Sequence, residues 1–395
     1  MYILGIETSC DETAASVVKD GREILSNVVV SQIDIFKAYG GVIPEVAARS
    51  HLEAILPVIN KALEDANLTW DKIDAIAVTH TPGLLGSLLI GTLAARTLAI
   101  LHHKPLYTVH HLKSHIYANW LKQAPQENDV DNKEISPLLE PSKAELDATS
   151  RSENSLLPTF PLLALVISGG HTQIIRMSAH NQFEIIGTTR DDAVGECYDK
   201  VAKILGLPYP GGPAISQAAQ SGNPQKYHLP HPKLTSPNRS DHTYNNLDFS
   251  FSGLKTAVLR EVQKAVGKPI SFPSHELKNL LTKEQVADFA ASFENTATDI
   301  LLENLKKALT LYPDTKSICL AGGVSANELL RAKTLGEFDN SPLPSPLSVF
   351  IPQKSFSGDN GAMVAAAAYY EIKSGVKPAD PYKVTLFPRS PINMV

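Results

Sequence analysis

Apolar and polar residues alternate at 2–8, 14–18 and 23–30, which predicts three strands joined by polar turns. A helix follows over 44–66, with Pro44 accommodated in its first turn and Val46, Ala47, Leu52, Ile55, Leu56 and Ile59 as its apolar positions. Pro57 should kink or divide it. A buried strand at 73–78, an apolar helix at 84–101, a short strand at 106–109 and a helix carrying His111 and His115 complete a βββαβαβα unit. The pattern breaks at 123–159, where Pro, Ser, Asn and acidic residues replace the apolar anchors, and this reads as a solvated insertion. Strands then restart at 162–167, 172–177 and 182–187, with helices at about 193–205 and 284–311, a strand at 317–320, a helix after AGGVSAN, a strand at 348–351 and a last helix over 359–373.

Two copies of one topology predict an α/β protein of duplicated βββαβαβα lobes with a cleft between them. The expected organisation is a first lobe at 1–122 completed by the C-terminal helix at about 359–380, an acidic insertion at 123–159, a second lobe at 160–358 and a tail at 381–395. The length of 395 residues agrees, since a single core stops growing at roughly 250–300 residues.

Composition narrows the class. Apolar residues at 43% and charged residues at 19% are globular values. Cys10, Cys197 and Cys319 stand far apart, which fits a reduced intracellular protein without a cysteine zinc site. The opening MYILGIETSCDET lacks the basic start of a targeting segment and meets Asp11 and Glu12 early, so a cytoplasmic protein is expected. The apolar stretch 84–101 contains Ser87, Thr92 and Arg96 and reads as a core helix, not a membrane span. The net charge of −5 disfavours a broad basic nucleic-acid face, yet the insertion alone carries −5, leaving the remainder neutral and open to local basic patches.

The candidate chemistry begins with His111 and His115, four residues apart and therefore on one helical face. Alone, such a pair is more often two ordinary histidines than a metal site. In the HExxH helix of zinc peptidases a Glu follows the first His, and here that position is Leu112. The hairpin turns ETSCDET and ISGGHTQ offer converging backbone N–H groups suited to an anion, with Gly169 and Gly170 removing side chains from the approach. LAGGVSAN runs from a strand into a helix start, which suits a nucleotide or is simply a turn, and YPGGP at 209–213 allows the same two readings. Glu7, Asp11 and Glu12 surround the first hairpin, while Asp192, Glu196 and Asp199 should share a helical face as ligands or as solvated acids. Asp359 sits where a helix cap is expected. The stretch 221–246, with Lys226, Lys233, Arg239, Tyr227, Tyr244 and three histidines (228, 231 and 242), reads as a solvated loop, of the length usually reserved for function or mobility.

Together IETSCDET, VHHLKSH, ISGGHTQ, DDAVGECYDKVAKILGLPYPGGP, FSFSGLKT, AGGVSAN and GDNGAM, in that order, resemble the bacterial tRNA threonylcarbamoyladenosine transferase family, formerly labelled sialoglycoprotein endopeptidases. The resemblance implies the fold of actin, sugar kinases and heat-shock chaperone ATPases. It implies transfer of the threonylcarbamoyl group from threonylcarbamoyl-AMP to N6 of adenosine 37 in tRNAs reading ANN codons, with release of AMP and no covalent intermediate. His111, His115 and Asp359 would hold one divalent metal per subunit, Fe(II) first and Zn(II) second. Val166, Ile167, Ser168, Gly169, Gly170, Asp199, Gly212 and Asn327 would meet the adenylate, and Asp11 would be the general base. One departure is SFSG before Asp359, where the family often has a Cys-Thr pair.

The implied partners are tRNA, a separate adenylate-forming enzyme, a degenerate paralogue and a small ATPase. A homodimer through the 44–66 helix is the further expectation, with a core role for that helix as its competitor, and no membrane is involved. The rival functions are an ATP-dependent kinase or ATPase of the same fold, which would hold Mg²⁺ with carboxylates and water in place of paired imidazoles, and a metallopeptidase, which would lack its base at Leu112.

Overall fold

The computed structural model describes residues 1–124, 157–231, 247–339 and 347–392. Most of the acidic insertion expected at 123–159, and His242, lie outside these residues. Two mixed sheets dominate. The first is built on the antiparallel strands β1 (Tyr2–Glu7), β2 (Glu12–Lys19) and β3 (Glu23–Ser31). Helices α1 (Ile33–Lys37) and α2 (Pro44–Asp65) follow, then β4 (Ala75–Thr81), α3 (Leu85–Leu101), β5 (Leu106–His110), α4 (His111–Tyr117) and the short edge strand β6 (Lys122–Gln123). Strand order is β5-β4-β1-β2-β3-β6, with β4 parallel to both β1 and β5.

The second sheet repeats the plan. Strands β7 (Leu162–Ile167), β8 (Thr172–Ala179) and β9 (Gln182–Thr188) form an antiparallel meander. Helices α5 (Val194–Leu205), α6 (Gly211–Ala219), α7 (Ser252–Ala265) and α8 (Lys283–Leu311) come next. The parallel strands β10 (Ser317–Ala321) and β11 (Ser348–Phe350) are separated by α9 (Glu328–Thr334), and α10 (Gly361–Lys373) is last. The order β11-β10-β7-β8-β9 matches β5-β4-β1-β2-β3 strand for strand, so the fold is the duplicated α/β arrangement expected.

Local sequence departs from expectation in few places. Helix α2 runs through Pro57 undivided, because the residues on its inner face, among them Ile55, Val58 and Ile59, are anchored in the core. The YPGGP motif leads directly into α6, with Pro210 as N-cap, where a simple turn had been an equal reading. Among the described residues no helix is long and apolar enough to cross a membrane.

What positions the site is the layer between the sheets. A single core joins Ile3, Ala75 and Ala77 of the first sheet to Leu162, Ala164 and Val166 of the second, with the fully buried run 362–368 of α10 and residues of α4 between them. Small residues let α10 approach the first sheet closely. A Cβ on Gly5 would stand 2.1 Å from the Gly361 carbonyl oxygen, and one on Gly361 would stand 2.6 Å from both the Gly5 oxygen and the Ser16 nitrogen. Helix α10 therefore lies directly on the backbone of β1 and β2. It is tied to α4 by a buried ion pair, Lys113 Nζ to Glu371 Oε1 at 3.5 Å, with the Lys113 ammonium also 5.3 Å from the Phe183 ring centroid.

Two outcomes follow for stability. Gly361→Ala should lose at least about 1–3 kcal/mol, since the added methyl meets backbone that cannot rotate away, and a lowered urea midpoint measures it. Burial pushes the Glu371 carboxyl up to about 7 against the opposing pull of Lys113. The folded protein thus keeps a proton that the unfolded chain releases near its ordinary value of 4.5. That contribution is complete below about pH 4.5 and is lost as pH rises through about 7. Relative to Glu371→Gln, the wild-type chain should therefore lose on the order of 2–3 kcal/mol of unfolding free energy between pH 5 and 8, and parallel curves for the two proteins would disprove the shift.

Candidate functional site

The first sheet delivers three loops to one place. Strand β1 ends in Glu7, fully buried, whose Oε1 accepts from the Ser9 N–H at 2.6 Å and whose Oε2 accepts from the Thr79 hydroxyl at 2.6 Å. Oε2 also lies 3.2 Å from His111 Nδ1, and the Ser9 hydroxyl stands 3.2 Å from the same nitrogen. His111 is thereby held by Nδ1, with Nε2 turned away from Glu7. Four residues on, His115 brings its Nε2 to 3.2 Å from His111 Nε2 and to 3.0 Å from Asp359 Oδ1. Asp359 Oδ1 is 3.6 Å from His111 Nε2.

Asp359 is not the cap of the last helix. Asn360 takes that role, accepting from the Met363 N–H at 2.9 Å, which leaves the Asp359 carboxylate to face the imidazoles. The ligand atoms of His111, His115 and Asp359 all lie within 4.8 Å of one another. Donors about 2.1 Å from one ion stand roughly 3.0–3.4 Å apart, so the separations, the two-imidazole and one-carboxylate donor set and the Glu7 support behind His111 fit a divalent transition metal. Burial opposes charge on His111, but the Asp359 and Glu7 carboxylates outweigh it and raise its pKa to about 9. Asp359, which burial alone would push up, is held down by the histidines around it. The site attracts positive charge.

Beside this group the first hairpin contributes Ser9, Cys10, Asp11 and Glu12 to the wall of a cavity of about 1890 Å³ between the lobes. Burial, with Asp359 and Asp11 as neighbours, raises the Glu12 carboxyl well above its ordinary range. The opposite wall comes from the second lobe. There Ser168–His171 closes a turn through the Ser168 N–H to His171 oxygen bond (2.8 Å) and the His171 N–H to Ser168 hydroxyl bond (3.1 Å). Gly169 and Gly170 present bare backbone to the cavity, with nothing within 4 Å of an added Cβ. Gly195 lets α5 press on this turn, since a Cβ there would stand 2.7 Å from the Ser168 oxygen. Asp199 lines the cavity, its Oδ1 accepting from the Gly211 N–H at 2.7 Å at the start of α6, and Gly212 lies open beside it. Asn327 caps α9, and its amide donates to Ser216 Oγ at 3.0 Å and Glu294 Oε1 at 2.6 Å.

Asp11, His111, Ser168, Gly169, Gly170, Asp199, Gly212, Asn327 and Asp359 thus share one cavity, and His115 lies behind them as a buried member of the three-donor group. Val166 and Ile167 do not join them as side chains. They are fully buried strand residues whose side chains point into different cores, because β7 is covered on both faces. The expected face of Asp192, Glu196 and Asp199 also separates: α5 starts only at Val194, so Asp192 precedes it and pairs with Lys200 (2.7 Å) and Lys255 (3.8 Å). Glu196 pairs with Lys200 at 2.9 Å. His231 pairs with Glu303 at 3.0 Å, away from the cavity lining. Sequence reasoning missed Glu294 and Ser216. The one signal was an acid inside the apolar run ASFENTATDI, where a buried carboxylate needs a partner.

The chain is similar to known proteins. The family model described as tRNA N6-adenosine threonylcarbamoyltransferase matches residues 23–129 and 144–366. The protein of that name from Symbiobacterium thermophilum is 44% identical over 375 residues, covering 95% of this chain and 93% of its own. Its namesake from Thermomicrobium roseum is 43% identical over 386 residues, again covering 95% and 93%. Among solved structures, full-length HypF in its phosphate- and nucleotide-bound form covers 94% of this chain and 46% of its own with a TM-score of 0.50 at 13% identity, a likeness of fold alone.

The role of Glu7 can be measured directly. Glu7→Gln should weaken divalent-metal affinity by about 10- to 100-fold, read by competition with a chromophoric chelator, because the carboxylate that orients His111 becomes a neutral amide. Unchanged affinity would show that His111 needs no such support.

Proposed function

We propose, for a chain that belongs to the tRNA N6-adenosine threonylcarbamoyltransferase family and is therefore a transferase, that it moves a threonylcarbamoyl group from threonylcarbamoyl-AMP to N6 of adenosine 37 in tRNAs reading ANN codons. The observation that supports this most is the three-donor group beside Asp11, facing the bare backbone of Gly169 and Gly170 across one cavity. His111, His115 and Asp359 would hold a single divalent ion, Fe(II) or Zn(II). Such an ion, when bound, polarises a carbonyl or phosphoryl oxygen and offsets the charge of the departing phosphate.

The remaining work falls to side chains and backbone. The backbone at Gly169, Gly170 and Gly212 accepts the adenylate closely because no Cβ intervenes, and the Glu294 carboxylate, held by Asn327, offers an acceptor at the same wall. The N6 nitrogen attacks the carbamoyl carbon, and the bond from that carbon to the phosphate oxygen breaks. AMP leaves with the bonding pair. The proton shed by N6 as the new bond forms goes to the Asp11 carboxylate, which lies in the cavity wall. The donor acyl group is already activated, so alignment of two substrates in one cleft suffices and no enzyme nucleophile is needed. A peptidase reading is unsupported, because Leu112, at the position of the missing base, is buried.

Partners fit a separate surface. Leu52 and Leu56 of α2 and Leu85, Leu89 and Leu93 of α3 are exposed while the opposite faces of these packed helices are buried. The 44–66 helix packs into the core through Ile55, Val58 and Ile59, and Leu52 and Leu56, expected among its apolar positions, stand exposed on its other side. We assign the docking side to a protein partner, the degenerate paralogue or a second copy, in the cytoplasm with the small ATPase and the adenylate-forming enzyme.

Asp11→Ala should keep its metal and lose transfer by about 10²- to 10⁴-fold, whereas His115→Ala should lose both. Mass spectrometry of tRNA nucleosides after incubation with threonylcarbamoyl-AMP reads the transfer, and elemental analysis reads the metal. Undiminished modification by Asp11→Ala would remove that residue from the proton transfer.

A further inference from the structure

The C-terminal segment lies along the first lobe and enters the wall of the cleft. The Phe387 N–H donates to the His80 oxygen (3.4 Å) and the Gly83 N–H to the Pro388 oxygen (3.2 Å). His110 completes the strap. Its Nδ1 accepts from the Leu112 N–H at 3.2 Å, which leaves Nε2 to donate to the Ser390 oxygen at 3.0 Å. Two residues further on, Ile392 is buried in the core between the sheets. Arg389 is fixed at its backbone between these anchors and between Pro388 and Pro391, which restrict the chain further. Its side chain is exposed, lines the cleft and forms no ion pair among the described residues.

Charge makes that position notable. Seven acids line the cleft, Asp11, Glu12, Glu196, Asp199, Glu294, Glu328 and Asp359, and beside the imidazole of His111 the lining has the basic side chains Lys200, Lys203 and Arg389. Lys200 is already taken by Asp192 and Glu196. A polyanion approaching this carboxylate-rich mouth is repelled unless a cation meets it at the rim. An adenine that reaches into the cleft also draws its own flanking phosphodiesters to the rim, since the base must leave its stack. Guanidinium is the side chain best matched to phosphate oxygens, and with the backbone anchored only the side chain remains to be ordered on contact.

We propose that Arg389, held at the cleft rim by the His110–Ser390 and Gly83–Pro388 hydrogen bonds, binds a backbone phosphate of the tRNA next to the modified adenosine. The proposal rests on the transferase reading above. In the reconstituted reaction with the full chain, Arg389→Gln should raise KM for tRNA roughly 3- to 10-fold near physiological salt and flatten the slope of log affinity against log salt by about 1. KM for threonylcarbamoyl-AMP should stay unchanged, and Arg389→Lys should restore most of the salt slope. An Arg389→Gln protein with wild-type tRNA affinity and slope overturns the proposal. A raised KM for threonylcarbamoyl-AMP with tRNA unaffected overturns it too, assigning the guanidinium to the small substrate's carboxylate. Failure of the wild-type chain to modify tRNA is a different result and sinks the transferase reading itself.

Discussion

Contact between α10 and the backbone of β1 and β2, made possible by Gly5 and Gly361, governs the rest of the molecule. A side chain of any size at either glycine would lift the helix, and with it the residue two positions ahead, Asp359. The short run of alanines that follows keeps the spacing narrow enough for one core to serve both sheets. The three-donor group is therefore a product of close packing as much as of ligand chemistry. Its members are brought together by a helix seated directly on the backbone of the first sheet.

A second constraint is electrostatic. Glu7, Asp11, Glu12 and Asp359 crowd one region, and the consequences appear as a His111 pKa raised to about 9 and a Glu12 carboxyl pushed well above its ordinary range. Such a cluster is costly in an apolar interior unless positive charge arrives from outside. A divalent ion in the three-donor group would offset the deep part of this surplus, and the guanidinium of Arg389 stands at its rim. Both are compatible with substrates that carry negative charge of their own.

The strands were legible because alternation and continuous apolar runs are set by burial, and β7 falls at 162–167 as expected. The helices carrying chemistry were legible for the same reason. What the sequence could not display was tertiary. Nothing local shows that Asn360 instead of Asp359 caps the last helix, that Val166 and Ile167 point into opposite cores, or that Glu294 meets Asn327. The pairing of His111 with Asp359 was available only through resemblance, since their separation along the chain carries no periodic signal. His110, adjacent to a ligand and without an evident role in the sequence, finds its explanation in a tail that gave no pattern at all.

The placement of the ligands has a consequence for how the protein is made. His111 and His115 emerge in synthesis well before Asp359, the helix that seats it and the strap through Ile392. A nascent first lobe therefore exposes two imidazoles without their carboxylate and without the small-residue layer that orders them. The three-donor group is therefore complete only once the chain has been made through Asp359 and α10, and a chain released before then lacks it.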